Sequence, residues 1–206
     1  MYPMLVSVLL FAAFHMQTAQ SKKISFKNRD YPIKYHFFQG LAPRGKFTSV
    51  SFDHNTEFFT NMSCWLSPEG KLNVDVYIKR NLPLAMRTSI TVQYQIENSA
   101  NYYTLFSYDV DSCKAMKDLL QFGLTNIWFR NLRKYGNLTS ICPMKAGYYD
   151  LRNFHLENNS IPAYLGSGNY RIRDVNYYGK NNANNANPKA KKRLPVSSIV
   201  LQLQLY

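Results

Sequence analysis

The chain has 206 residues, with 25 Lys and Arg against 12 Asp and Glu, a formal net charge of +13 at pH 7. That length suits a single domain with a sizeable core, and the scarcity of acidic side chains argues against a hydrolase built on paired carboxylates. A basic chain is drawn to acidic glycans, phospholipid head groups or nucleic acid, and the export argued next removes nucleic acid from the expected partners.

Residues 5–14 read LVSVLLFAAF. This uncharged run is about half the roughly twenty residues that a membrane span needs and has the length of a signal-peptide core. The small residues Thr18 and Ala19 follow. Residues 1–20 are therefore read as a signal peptide and residues 21–206 as one secreted, extracellular domain. Three N-x-S/T sequons, at Asn61, Asn137 and Asn158, are glycosylation candidates in such a setting.

Strands are predicted at residues 47–52 and 57–65, followed by the turn signal Pro68-Glu69-Gly70. Leu72, Val74, Val76 and Ile78 then alternate with Asn73 and Asp75, and Ile90, Val92, Tyr94 and Ile96 alternate with Thr91, Gln93 and Gln95. Period-two alternation is the signature of a strand with one apolar and one wet face. A further strand is expected at residues 102–110. At residues 111–135 the pattern changes: Asp111 or Ser112 can cap a helix, and Met116, Leu119 and Leu120 fall on one helical face. After Gly123, a second short helix can carry Leu124, Ile127, Trp128 and Leu132. Strands are expected again at residues 148–156 and 170–178, and last where Ile199, Leu201, Leu203 and Leu205 alternate with Gln202 and Gln204. Between those two, residues 179–193 read GKNNANNANPKAKKR, too poor in apolar side chains to offset the entropy of ordering, and are expected to form a mobile basic loop. Eight or so strands at this spacing make a mostly β chain, an antiparallel sandwich or barrel with a short helical insert.

The three cysteines are Cys64, Cys113 and Cys142. Cys113 is expected to pair with Cys142, stapling the insert to the sandwich rim; closing a loop of about 30 residues is worth roughly 3–4 kcal/mol in the chain-entropy model. Cys64 is then left as a buried thiol or as an intermolecular link. No catalytic constellation emerges. His36, His54 and His155 are dispersed, and no nucleophile elbow, phosphate-binding loop or dinucleotide fingerprint occurs. Asp109 and Asp111 read better as a strand end leading into a helix cap than as metal ligands. No catalytic residue, metal or cofactor is expected.

An ordered series of motifs runs through the second half: Val110-Asp111-Ser112-Cys113-Lys114, Tyr135-Gly136-Asn137-Leu138-Thr139-Ser140-Ile141-Cys142-Pro143, Gly147-Tyr148-Tyr149, Ile161-Pro162 and Gly168-Asn169-Tyr170-Arg171. In these residues the chain resembles a family of secreted insect proteins of unassigned function that includes the CheB chemosensory proteins, which is similar to the ML lipid-recognition superfamily of the ganglioside activator protein. The resemblance implies an immunoglobulin-like antiparallel β-sandwich whose sheets part around an apolar inter-sheet cavity, with lipids or other hydrophobic molecules as ligands and, in some insect members, a part in contact chemosensation. Its two motif cysteines fall on Cys113 and Cys142. The chain departs from the pattern in lacking a cysteine upstream of Cys64, in Met144 after Cys-Pro, and in the basic Asn-rich insert before the last strand.

The expectation that follows is a non-enzymatic carrier or presenter of a hydrophobic ligand. Leu72, Val74, Val76, Ile78, Ile90, Val92, Tyr94, Phe106, Leu201 and Leu203 would line the interior. Leu119, Phe122, Trp128 and Phe129 would add to it from the insert, and Lys114, Lys117 or Arg130 near the mouth could hold an anionic head group. The alternative is a secreted interaction protein with a solid core, binding an acidic glycan, an anionic membrane or a membrane receptor through its basic surface.

Overall fold

The computed structural model describes residues 44–96, 99–114, 133–137, 142–157, 161, 165–179 and 193–206. The expectations placed on residues 1–20, most of the helical insert (with Leu119, Phe122, Trp128 and Phe129), Asn158 and residues 180–192 lie outside the described residues.

The described residues form eight strands: β1 (Gly45–His54), β2 (Phe59–Leu66), β3 (Leu72–Ile78), β4 (Arg87–Gln95), β5 (Tyr102–Asp111), β6 (Gly147–Phe154), β7 (Gly168–Tyr178) and β8 (Leu194–Leu205). They make a five-stranded sheet in the order β1-β8-β7-β4-β5 and a three-stranded sheet in the order β2-β3-β6. All the pairings are antiparallel. The chain changes sheet at β1–β2, β3–β4, β5–β6 and β6–β7, so both sheets are woven from distant parts of the sequence, and neither closes into a barrel.

Alternation places the core. In the small sheet Leu72, Val74, Val76 and Ile78 turn inward beside Met62, Cys64, Leu151 and Phe154, all buried. In the large sheet the inward set includes Phe47, Ile90, Val92, Tyr170, Ile172, Ile199, Leu201 and Leu203, likewise buried. The sheets pack face to face: the ring of Phe47 on β1 lies 5.8 Å from that of Phe154 on β6, and the ring of Phe58, just before β2, lies 5.5 Å from that of Tyr178 on β7.

One position on an expected wet face is not wet. Asn73 alternates with inward residues on β3 yet is only 6% exposed. Its side chain accepts the backbone N–H of Asn153 at 3.0 Å, where β6 bulges and Asn153 takes φ 52°. A polar side chain is enclosed there because the bulge frees a backbone donor that needs a partner.

Asp111 ends β5 and accepts the N–H of Lys114 at 2.8 Å, capping the helical turn as its sequence position predicts. Cys113 in that turn is bonded to Cys142, with Cα atoms 5.5 Å apart. Cys64 is free and buried. Residues 133–137 run along the open edge of β6. Tyr135 accepts the N–H of Arg152, and the Asn137 amide donates to the Tyr148 carbonyl at 3.0 Å while accepting the Asp150 N–H at 2.9 Å. Gly136 permits this approach: a Cβ there would lie 2.0 Å from the Asp150 carbonyl oxygen. The edge is thus covered by side-chain and backbone groups instead of being left as a template for another chain.

Candidate functional site

The inner face of the large sheet carries two kinds of surface. Most of it is apolar. At the end where β5 leads to the disulfide, however, the antiparallel register lines up Thr88 of β4, Asn176 of β7, Ser197 of β8 and His54 of β1 as successive cross-strand neighbours. The next row inward holds Ile90, Asp174, Ile199 and Phe52. Thr88, Ser112 and Asn176 are 0% exposed and Asp174 2%.

These side chains form a directed string of hydrogen bonds. The Thr88 hydroxyl donates to Asn176 Oδ1 at 2.7 Å. Its single proton is then committed, so Ser112, whose Oγ is also 2.7 Å away, donates to Thr88. Asn176 Nδ2 donates in turn to Asp174 Oδ1. The string ends there: Asp174 Oδ2 is buried without a hydrogen-bond partner. Burial drives this carboxyl well above the ordinary range, outweighing the bond from Asn176. Burial thus favours the neutral acid over the carboxylate. Because Oδ1 is receiving a proton from Asn176, the acid proton sits on Oδ2.

The ten strand residues expected to line the interior all lie on inward faces. Leu72, Val74, Val76 and Ile78 are on the small sheet. Ile90, Val92 and Tyr94 are on β4, Phe106 on β5, and Leu201 and Leu203 on β8. Phe106 and Tyr94 are only partly buried. Leu119, Phe122, Trp128 and Phe129 lie outside the described residues, as do Lys117 and Arg130, while Lys114 is exposed. Of the sequons, Asn61 stands exposed on β2 and Asn137 is the amide that clasps β6. Reading residues one strand at a time did not find the polar string. Ser112, Thr88, Asp174 and Asn176 come together from two strands, β4 and β7, and a helical turn. The available signal was Asp174 and Asn176 at alternate positions between Ile172 and Tyr178, polar where the pattern of β7 calls for apolar residues.

The polar clusters elsewhere are structural ties. On the outer face of the large sheet Asp109 pairs with Arg87 at 2.6 Å and accepts the Tyr177 hydroxyl, and Arg193 lies over the Tyr177 ring at 4.3 Å. On the outer face of the small sheet Arg152 binds Asp75 and lies over Trp65 at 5.6 Å. Burial alone would raise the Asp75 carboxyl, but hydrogen bonds from Arg152 and Tyr148 outweigh it and hold it below the usual carboxylate range. At the end of β6 the Tyr135 hydroxyl donates to Glu157 at 3.0 Å beside His155. Its own ionisation is pushed up to about 12 by burial and by Glu157. Among the described residues no group of three or more His, Cys, Asp or Glu side chains converges as metal ligands.

The fold and its interior define an antiparallel β-sandwich with an apolar interface and one buried polar string. A model of the family described as "Protein of unknown function (DUF1091)" matches residues 86–172, from just before β4 to the middle of β7. No curated protein matches the chain. The motif residues in that span have structural work: Gly136 and Asn137 seat the segment beside β6, Tyr135 packs edge-on against Phe154 at 5.6 Å, and Gly168 lies against the Tyr94 ring. Among the described residues no helix is long and apolar enough to cross a membrane.

Proposed function

We propose that the protein is a secreted, non-enzymatic carrier of a hydrophobic ligand, held between the two sheets. The observation that carries this reading is the difference in width between them. At about 4.8 Å per strand, three strands can face only about half the breadth of five. Of the inward apolar side chains of β4 and β5, Ile90 and Val92 are buried, while Phe106, on the edge strand of the large sheet, is only partly buried. An apolar face broader than its cover is what a ligand-holding sandwich needs and a solid one does not. Burying about ten methylenes there would supply roughly 8 kcal/mol before ordering costs, which corresponds to a dissociation constant on the order of micromolar.

Secretion fits the apolar run at residues 5–14 and the disulfide, which persists in oxidising compartments. The motif resemblance to the CheB chemosensory proteins and to the ML lipid-recognition superfamily supports the same reading and extends it to a role in chemosensation. The test is native mass spectrometry of protein secreted from cultured cells and enzymatically deglycosylated, followed by solvent extraction. A stoichiometric apolar adduct that survives high salt is expected. A bare polypeptide mass, together with no uptake of the apolar probe N-phenyl-1-naphthylamine, would overturn the reading. The net charge of +13 favours a second reading, a surface that binds acidic glycans or anionic membranes; such binding would weaken steeply with ionic strength, while interior binding would not.

A further inference from the structure

We propose that Asp174 is the polar anchor of the ligand held between the sheets, and that the ligand is an uncharged amphiphile bearing an oxygen acceptor at one end, such as a long-chain ketone, ester or alcohol. This rests on the carrier reading and adds the chemistry of the ligand's head.

The argument starts from direction. Ser112 donates to Thr88, Thr88 to Asn176, and Asn176 to Asp174 Oδ1. Each side chain along the string hands a hydrogen bond to the next as far as Asp174, whose Oδ2 is the one buried side-chain N or O atom among the described residues without a hydrogen-bond partner. A network serving packing alone would close on itself, because a buried polar group left unsatisfied is destabilising. Here the open end sits on the inner face between Ile90 and Ile199, both buried. Oδ2 is unpartnered and enclosed by apolar side chains, and burial favours the neutral acid there, so its open end is a hydroxyl donor, and its complement is an acceptor on a molecule lying between the sheets.

The same chemistry sets the selection. A fatty carboxylate would bring a second acid into an apolar row, where its charge is disfavoured. An alkylammonium would require Asp174 to ionise inside the core, with a desolvation cost that the pair must recover. A neutral carbonyl or hydroxyl needs neither. The head-group anchor is thus Asp174 at the core rather than a lysine at the rim.

The experiment is displacement of N-phenyl-1-naphthylamine from the full-length secreted protein by undecane, decan-2-one, decan-1-ol, decanoate and decylammonium. The ketone and the alcohol are expected to compete at roughly tenfold lower concentration than the alkane, the increment of one buried hydrogen bond, and ahead of both charged compounds. Asp174→Leu should abolish that preference, the ketone and the alcohol then competing no better than the alkane. Asp174→Asn, which keeps a donor at the same place, should retain it. As a readout independent of any variant's folding, the ¹³C-labelled carbonyl of decan-2-one bound to the wild type should resonate downfield of the same ketone in hydrocarbon. Equal competition by undecane and decan-2-one, survival of the preference in Asp174→Leu, an unshifted carbonyl, or decylammonium as the leading competitor would each overturn the anchor. Those outcomes leave the carrier reading standing, whereas a protein that takes up no probe overturns both.

Discussion

Thr88 and Asn176 are cross-strand neighbours on β4 and β7, both fully enclosed, and the threonine hydroxyl donates to the asparagine carbonyl at 2.7 Å. Removing that hydroxyl strands two partners at once: Asn176 Oδ1 loses its donor and Ser112 loses the oxygen to which it donates. Thr88→Val, nearly equal in volume, is therefore expected to lower stability by about 1–3 kcal/mol. The check is the urea midpoint at unchanged m-value. A variant as stable as the wild type would show that the string does not hold the sheet.

Asp174 makes a prediction of opposite sign. Its carboxyl is raised in the folded state, so the native protein binds the proton more tightly than the unfolded chain does. Stability is then lost, not gained, as pH rises above the unfolded value of about 3.9. The side chains nearest it in its two rows, Ile90, Ile199, Thr88 and Asn176, carry no charge to offset this. Asp174→Asn is expected to match the wild type below about pH 4 and to be the more stable of the two at pH 7, where only the wild type carries the cost of its raised carboxyl. Thermal melts across that range read the difference directly.

The Cys113–Cys142 bridge closes a sequence separation of 29 residues. Replacing both cysteines by serine is expected to remove roughly 3–4 kcal/mol, as measured by denaturant unfolding. Loss of less than about 1 kcal/mol would mean that the segment between them is pinned by other contacts.

Cys64 faces inward between the sheets, and burial with the nearby Asp75 charge pushes its thiol up to about 12. At pH 8 the reactive thiolate is then scarce as well as enclosed. Native protein should resist a thiol reagent for hours and yield one equivalent at once in denaturant. Rapid labelling of folded protein would contradict this placement.

Asn137 and Asn61 carry the same sequon signal and do different things. The Asn137 amide makes two bonds to the β6 backbone, while Asn61 stands exposed on β2. Asn137→Ala is expected to cost on the order of 1 kcal/mol, and Asn61→Gln to stay within about 0.5 kcal/mol of wild type. Comparing the two by urea unfolding after deglycosylation separates the structural asparagine from the surface one.

Alternation in the sequence determined the strands and their inward faces. Leu72, Val74, Val76 and Ile78 had to share a side because strand geometry has a period of two, whatever they pack against. Asp111 was legible as a cap, and Cys113 with Cys142 as a pair, because a carboxylate at a strand's end and two cysteines about 30 residues apart act through short stretches of chain. What the tertiary structure alone decided is which strands become neighbours. The pairing of β4 with β7 joins Thr88 to Asn176 across 88 residues, and no local pattern encodes a register set by the packing of whole sheets. The same holds for Asn73, enclosed because of a bulge in β6, and for the mismatch of five strands over three. The apolar interior could be read one strand at a time, but the polar string inside it exists only where distant strands meet.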